Sequence, residues 1–383
     1  MRPIAGHERV FQGNKRRVEA LLGEAGLDAL VVTGKPNMVY VTGIREPPGV
    51  AIVSPKCGDT IIVPLLEYSR VLRYAPREFD VKVAYRGGEE PIKADLPPGS
   101  IIQASPLKAA FKLLESCLGS TSKVGLDLDW ATYSMVKEAS GKEYVDFSDH
   151  LRRARRRKSP EEIELIEAAM RMAEKAMARV ISSLSEGFSE AEGVSVATQE
   201  ILLAGGWGTA FPPIIAFYDN TALPHHASGG TVLSKPGPVL VDLGAVNMGY
   251  HSDMTRTTWW GGGSEGSFRE KLEAVLEAML EAIDTVGPGV KAWEVDRSAR
   301  ARLAKNGLER YFIHGLGHGL GLEIHEPPYL RPGSKEELEE GMVITIEPGI
   351  YMPGLYGIRI EDVILVTKRG RKTLTNYSRL IEA

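Results

Sequence analysis

Along the first 150 residues, short apolar runs broken by Gly and Pro alternate with amphipathic stretches, the pattern of an α/β domain. Residues 27–32 and 50–53 read as buried strands, and 106–118 as a helix. Six basic residues between 151 and 158 mark a boundary near residue 150, so the domains expected are 1–150 and 151–383. Beyond it, Ser159-Pro160-Glu161-Glu162 has Ser as N-cap, Pro at the first helical position and Glu three residues on, which starts a helix running to about residue 184. Ser189-Glu190-Ala191-Glu192 repeats the signature, and Gly205-Gly206 stops the second helix. Strand patterns fill 212–260. The order then recurs, with helices over 268–286 and 293–305 separated by Gly-Pro-Gly, and strands to 366. This is a weak internal repeat of helix, helix, hairpin. In each half a Gly, Gly187 or Gly289, stands five residues before a Glu, Glu192 or Glu294. The fold class expected is an α/β N-terminal domain followed by an α+β domain with a pseudo-two-fold repeat.

Composition narrows the function classes. A chain of 383 residues holds two domains at roughly 100 to 200 residues each. The net charge of -4 predicts no polyanion or nucleic-acid partner, and the basic run reads as the solvated face of a linker turn. No apolar run approaches the roughly 18 residues of a membrane span, and residues 1–15 lack a signal-peptide core. Cys57 and Cys117 are too few for a disulfide framework or a thiolate zinc site. They read as small apolar residues of a reducing, cytoplasmic compartment.

Five potential metal ligands, Asp242, Asp253, His318, Glu347 and Glu361, sit in apolar or Gly-rich stretches. Unpartnered charge is costly in such places. Asp242 interrupts Val239-Leu240-Val241-Asp242-Leu243, and Glu361 interrupts Ile358-Arg359-Ile360-Glu361-Asp362-Val363. Four buried carboxylates beside one imidazole carry too much negative charge for salt bridges alone; two divalent ions neutralise them with ligand types such ions prefer. Asp242 and Asp253 flank a turn at Asn247-Met248-Gly249, which sets them nearly opposite on adjacent strands. Glu347 and Glu361 flank a longer loop in the same manner. Two halves then meet at a four-carboxylate centre, with His318 delivered between them, as in a dinuclear hydrolase.

Five ordered motifs give the chain a close resemblance to the pita-bread metallopeptidases, the family of Xaa-Pro dipeptidases (prolidases), Xaa-Pro aminopeptidases and methionine aminopeptidases. They are VDLG at 241–244, SDMTR at 252–256, HGLGHGLGLEIHE at 314–326, TIEPGIY at 345–351 and RIED at 359–362. The likeness is strong over 155–370, and the preceding domain more loosely resembles that of the proline-directed and creatinase-like members. The resemblance implies that Asp253 and Glu361 bridge both ions, that Asp242 completes one site, and that His318 with Glu347 completes the other. Two such ions share a water, lower its pKa and stabilise the oxyanion of an attacked amide. Glu347 is then either the proton shuttle to the leaving amine or a ligand only. His225 and His325 match positions where the family places histidines that contact substrate and stabilise the intermediate. His226, His251 and His314 are expected in supporting or packing roles. Arg359, two positions before Glu361, faces a substrate carboxylate or a ligand carboxylate. Phe211 either lines an apolar pocket for a prolyl ring or packs in the core, and Trp259 and Trp260 read as packing.

The function expected is a dinuclear-metal exopeptidase that cleaves the Xaa-Pro bond of dipeptides or short peptides through a metal-bridged hydroxide. Some prolidases carry an Arg shortly after the residue matching His325; here the segment continues Glu326-Pro327-Pro328-Tyr329-Leu330-Arg331. Unless Arg331 serves, longer Xaa-Pro peptides and an aminopeptidase become the alternative. The further alternatives are a creatinase-branch hydrolase of another small amide or amidine, and a non-catalytic binding module. The ligand set suits Mn or Co first, with Zn or Fe next. The resemblance also implies a homodimer.

Overall fold

Residues 8–85, 96–97, 99–127, 143–263 and 266–381 are described by a computed structural model of the chain. The chain divides into two units, Met1–Arg155 and Arg156–Ala383.

In the first unit, seven strands form one mixed sheet. They are β1 (Ala29–Val32), β2 (Val50–Val53), β3 (Thr60–Pro64), β4 (Asp80–Tyr85), β5 (Ile101–Gln103), β6 (Lys123–Asp127) and β7 (Glu143–Asp146), in the order β5-β4-β3-β2-β1-β6-β7. β1 pairs antiparallel with β2 and parallel with β6. Both β1 and β2 are buried throughout, as their unbroken apolar sequences require of strands covered on two faces. The helices are α1 (Glu8–Glu24), α2 (Lys35–Thr42), α3 (Tyr68–Tyr74), α4 (Pro106–Cys117) and α5 (Ser148–Arg156). Ala109, Ala110 and Leu114 of α4 pack into one core with Val31, Ile52 and Ile62. Of the stretch 1–15, residues 8–15 lie in α1 and residues 1–7 fall outside the described residues.

Two expectations need correction here. First, the basic run is mostly helix, the end of α5, and not a solvated linker turn. Arg152, Arg153 and Arg157 are exposed or half-exposed, but Arg155 is buried and donates from Nη1 to Asn37 Oδ1 at 2.8 Å. Lys158 is buried too. Outward and inward positions alternate round the helix, a distinction invisible in a bare string of cations. Second, Cys57 and Cys117 are not separate small residues but a disulfide, with Cα atoms 5.7 Å apart across 60 residues of sequence. Sequence distance hid the approach: α4 packs on β2, so its last residue reaches the turn that follows β2. Closing a ring of that size restricts the unfolded chain by about 4 kcal/mol on a chain-entropy account. Dithiothreitol is accordingly expected to lower the denaturant midpoint of the first unit, and an unchanged midpoint sinks this assignment.

The second unit begins with α6 (Pro160–Ser183) and α7 (Glu190–Leu203), and both starts carry the capping boxes read from Ser159-Glu162 and Ser189-Glu192. Strands β8 (Gly208–Thr209), β9 (Ile214–Phe217), β10 (Gly237–Leu243), β11 (Ala245–Asn247), β12 (Tyr250–His251) and β13 (Met254–Trp260) follow. The order repeats with α8 (Gly266–Thr285) and α9 (Ala292–Lys305). Then come β14 (Gly317–Gly319), β15 (Glu326–Leu330), β16 (Val343–Ile346), β17 (Gly349–Met352), β18 (Tyr356–Arg359), β19 (Asp362–Thr367) and β20 (Gly370–Thr373). The sheets run β13-β10-β9, β12-β11-β8, β15-β14-β16-β19-β20 and β17-β18. Ala278, Met279 and Ala282 of α8 join Val295 and Ala299 of α9 against Ile344, Ile346, Ile358 and Ile364. Each such Ile contributes roughly 1.5–3 kcal/mol by burial, enough to hold rigid strands beneath a charged site. Among the described residues no helix is long and apolar enough to cross a membrane.

Candidate metal centre

Each pair of carboxylates stands where one sheet hands over to the next. β10 pairs with β13 so that Asp242 faces Thr255. Val246 faces His251 in the adjoining β11–β12 hairpin, closed by Met248 (φ 51°) and Gly249 (φ 89°). Positive φ at both positions is the signature of a two-residue hairpin loop with the twist of its strands. Asp253 lies two residues before Thr255, and side chains two apart share a strand face. The carboxylates expected to be nearly opposite are therefore diagonal neighbours, offset by two. Gly244 is obligatory beside them, since a Cβ there meets Ser252 O at 2.0 Å. In the second half, Ile346 faces Asp362 and Gly349 faces Arg359, which brackets Glu347 and Glu361 across from one another.

His318 enters from β14. Its backbone N donates to Thr345 Oγ1 at 3.1 Å, and its Nδ1 lies 3.1 Å from Gly319 O. A carbonyl only accepts, so Nδ1 carries a proton, and Nε2 is the nitrogen turned towards the carboxylates. Nε2 stands 3.3 Å from Glu347 Oε1 and 3.8 Å from Asp253 Oδ2. One ligand atom each from Asp253, His318 and Glu361 lie within 4.8 Å of one another. Glu347 is the least buried of the five, its side chain 17% exposed, whereas Asp242, Asp253, His318 and Glu361 are all buried.

Electrostatics disfavours this cluster without a cation. Burial raises the Asp253 carboxyl well above its ordinary range, and the neighbouring Glu361 and Asp242 add to the rise. Glu361 is pushed up in the same way, by burial first and then by Glu347 and Asp242. Burial also raises Asp242, although Arg359 opposes it. Glu347 moves the other way: burial pulls it upward, but the His318 hydrogen bond and charge, with His314 and Arg359, outweigh that. Asp242 Oδ1 is buried with no hydrogen-bond partner among the described residues. An orphaned buried oxygen, mutually repelling carboxylates and an imidazole nitrogen turned towards them are what a divalent ion satisfies. The donor set fits.

Arg359 is buried and donates to Asp242 Oδ2 at 2.5 Å, Tyr351 Oη at 2.7 Å and Thr255 Oγ1 at 3.1 Å. Of the two partners left open for it, the structure presents the ligand carboxylate. The substrate-binding assignment of Arg359 is corrected accordingly, because its guanidinium is already engaged inside the protein. Three residues of this framework escaped sequence reasoning. Thr255 donates to Glu361 Oε2 at 2.7 Å, Thr345 lies 3.3 Å from Glu347 Oε1, and Tyr351 Oη accepts from Arg359 and donates to His314 Nε2 at 3.0 Å, whose Nδ1 carries its proton towards Gly315 O. Burial pushes the Tyr351 hydroxyl up to about 12, so it stays protonated. Each of Thr255 and Thr345 sits two residues from a ligand, and that period-2 spacing in a buried strand was the available signal.

His225 and His325 are both exposed, His225 in the turn after residues 218–222 and His325 just before β15. The His325 ring stands edge-on to His318 at 4.3 Å between centroids. Its pKa is lowered by burial of part of the ring, then by His318 and more weakly by His225, so the two outer histidines share one electrostatic neighbourhood. His251 Nδ1 contacts Gly321 O at 3.0 Å and His226 Nε2 contacts Glu190 Oε2 at 2.9 Å. Phe211 is half-buried between β8 and β9, next to Ala210, whose N donates to Gly244 O. Trp259 packs edge-on to Phe268.

A largely buried carboxylate cluster with one imidazole turned into it, framed by strands from two repeated halves, defines the class: a divalent-metal enzyme. A model of metallopeptidase family M24 matches residues 164–368, and one of the creatinase/prolidase N-terminal domain matches 15–157. An Xaa-Pro dipeptidase of Pyrococcus horikoshii is 35% identical over 364 residues, covering 95% of this chain and 97% of its own. The prolidase structure from Pyrococcus furiosus superposes with TM-score 0.77 at 34% identity, over 94% of this chain and 99% of that one. The Xaa-Pro dipeptidase structure from Bacillus anthracis does so with TM-score 0.82 at 28% identity, over 97% and 100%. The chain belongs to metallopeptidase family M24, with the pita-bread catalytic fold preceded in sequence by a creatinase/prolidase N-terminal domain.

Proposed function

We propose that the protein is an Xaa-Pro dipeptidase using two divalent ions, Mn or Co first, held by Asp242, Asp253, His318, Glu347 and Glu361. The observation that carries this reading is the raised, mutually repelling pair Asp253 and Glu361 within ligand distance of His318. When bound, two such ions supply an acidified water and an electrophile for the amide oxygen. The chain's own residues do the rest. Glu347, partly open to solvent where the other four ligands are buried, is the residue we assign to take a proton and return it to the leaving amine. His325 and His225 are placed to donate to the substrate oxygen, and Phe211 to pack on the prolyl ring. Partial burial keeps His325 neutral near pH 7, able to donate without adding charge.

Dipeptide preference has its own support. His318 faces Tyr329 across β14 and β15, and Arg331 stacks on Tyr329 with 5.5 Å between guanidinium and ring. Arg331, exposed just past the end of β15, is the cation we assign to a C-terminal carboxylate, which it reaches if its loop shifts towards the centre. The expected outcome is metal-dependent cleavage of an Xaa-Pro dipeptide in preference to a tripeptide, with Arg331→Met raising KM for the dipeptide alone. Preference for the tripeptide establishes the aminopeptidase alternative. No cleavage of any Xaa-Pro peptide by Mn- or Co-loaded protein sinks the proline-directed reading and favours another small amide or amidine.

A further inference from the structure

We propose that Glu190 is a positioning residue for His225: its buried carboxylate gathers the loop 217–229 and thereby aims the imidazole that stands in the middle of it. The proposal rests on the reading of His225 as a site residue.

Glu190 is the first residue of α7, and its side chain is 0% exposed. A buried carboxylate is expensive unless every lone pair is used. Here Oε1 accepts from Phe217 N at 2.9 Å and Asn220 Nδ2 at 2.8 Å, and Oε2 from Gly229 N at 3.0 Å and His226 Nε2 at 2.9 Å. All four donors belong to one loop. Two are main-chain amides at its ends, and one is the side chain directly after His225. Because a carboxylate accepts only, His226 carries its proton on Nε2 and its ring orientation is set.

Helix capping does not account for this group. The start of α7 is already satisfied by the Ser189–Glu192 capping box. Glu190 also has the helix N-terminus behind it, which favours a carboxylate at no cost to the cap. The loop is held on its other side as well, where Gly357 N donates to the buried Thr221 Oγ1 at 2.9 Å, two residues before Arg359 in β18. Between these two anchors His225 is exposed, and it is electrostatically sensed by His325. A segment fixed at both ends and at the adjacent residue leaves His225 its own side-chain rotation and little else. Misplacing such a group by about 1 Å costs on the order of a hundredfold in rate.

The test is a double-mutant cycle in the full-length, metal-loaded protein, read on kcat and KM for an Xaa-Pro dipeptide, with ¹⁵N-histidine NMR of the same variants. Glu190→Gln is expected to lower kcat by roughly ten- to a hundredfold with KM nearly unchanged. In the His225→Ala background it should cost nothing further. The His225 imidazole resonances should move or broaden while those of His251 and His314 stay put. His226→Ala should reproduce the loss and His226→Gln, which keeps a donor near the Nε2 position, should recover most of it; this pair decides the matter if Glu190→Gln fails to fold. Independent, multiplying losses in the cycle, or an unmoved His225 resonance, overturn the proposal. A wild-type protein inactive on every Xaa-Pro peptide overturns the functional reading alone, and the resonance then decides the positioning.

Discussion

Asp253→Asn is expected to abolish metal-dependent peptide hydrolysis while leaving the metal-free protein at least as stable as the wild type. The two halves of that outcome have one cause. Asp253 is buried among carboxylates, and burial with Glu361 and Asp242 raises its pKa well above the ordinary range. Without an ion, its charge is a burden on the fold, and an amide of the same shape removes it. With an ion, the same charge is the ligand, and its loss should exceed the roughly 10- to 100-fold that a mere partner of a ligand commands. Metal content by mass spectrometry and thermal midpoints with and without chelator measure both halves. A metal-free variant that melts well below metal-free wild type, or one that keeps wild-type activity, contradicts the assignment of Asp253.

The second large effect is the response of stability to pH and metal together. Asp242, Asp253 and Glu361 have folded-state pKa values raised above their unfolded ones, so folding takes up protons at these sites. Their favourable contribution is fully present below the ordinary carboxylate range, near pH 4, and is lost as pH rises through the shifted values. Glu347, shifted down by His318, works in the opposite sense, its contribution disappearing as pH falls, but it is one group against three. The chelated protein is therefore expected to lose stability at this site from acid to neutral pH. Divalent ions should reverse the trend, since they replace the protons, adding about 4 kcal/mol when free metal is a thousandfold above its Kd. Thermal midpoints across pH, with chelator and with Mn, test this. A chelated protein whose midpoint is insensitive to Asp253→Asn and Glu361→Gln at every pH rules out the mechanism.

Much of this architecture could be read from the chain because local rules and tertiary demands agree. Both capping boxes in α6 and α7 appear where Ser159-Glu162 and Ser189-Glu192 put them, since a cap is decided by four consecutive residues. The ligands stood out because a carboxylate inside an apolar strand is tolerated only beside a cation or a full set of donors. What escaped depends on partners far apart in sequence. Cys57 meets Cys117 only because α4 packs on β2. Lys158, read as one more solvated cation, is buried against Glu326 at 2.6 Å, 168 residues on. The direction of Arg359 turned on whether Asp242 or open space lay beside it, and period-2 reasoning gives the face without the neighbour. Thr255 and Thr345 looked like ordinary strand residues, because a hydroxyl in a β-branched side chain carries no mark of what it will touch.

The grip of Arg359 on Asp242 reaches into the choice of ion. The guanidinium uses one lone pair of Asp242 Oδ2, while Oδ1 keeps its full capacity for an ion. Thr255 likewise occupies part of Glu361 Oε2. Calcium gathers about six to eight oxygens and relies on carboxylates that bind through both. Carboxylates that already spend lone pairs on Arg359 and Thr255 have fewer left to give, so the centre is expected to favour smaller ions content with fewer ligands over calcium.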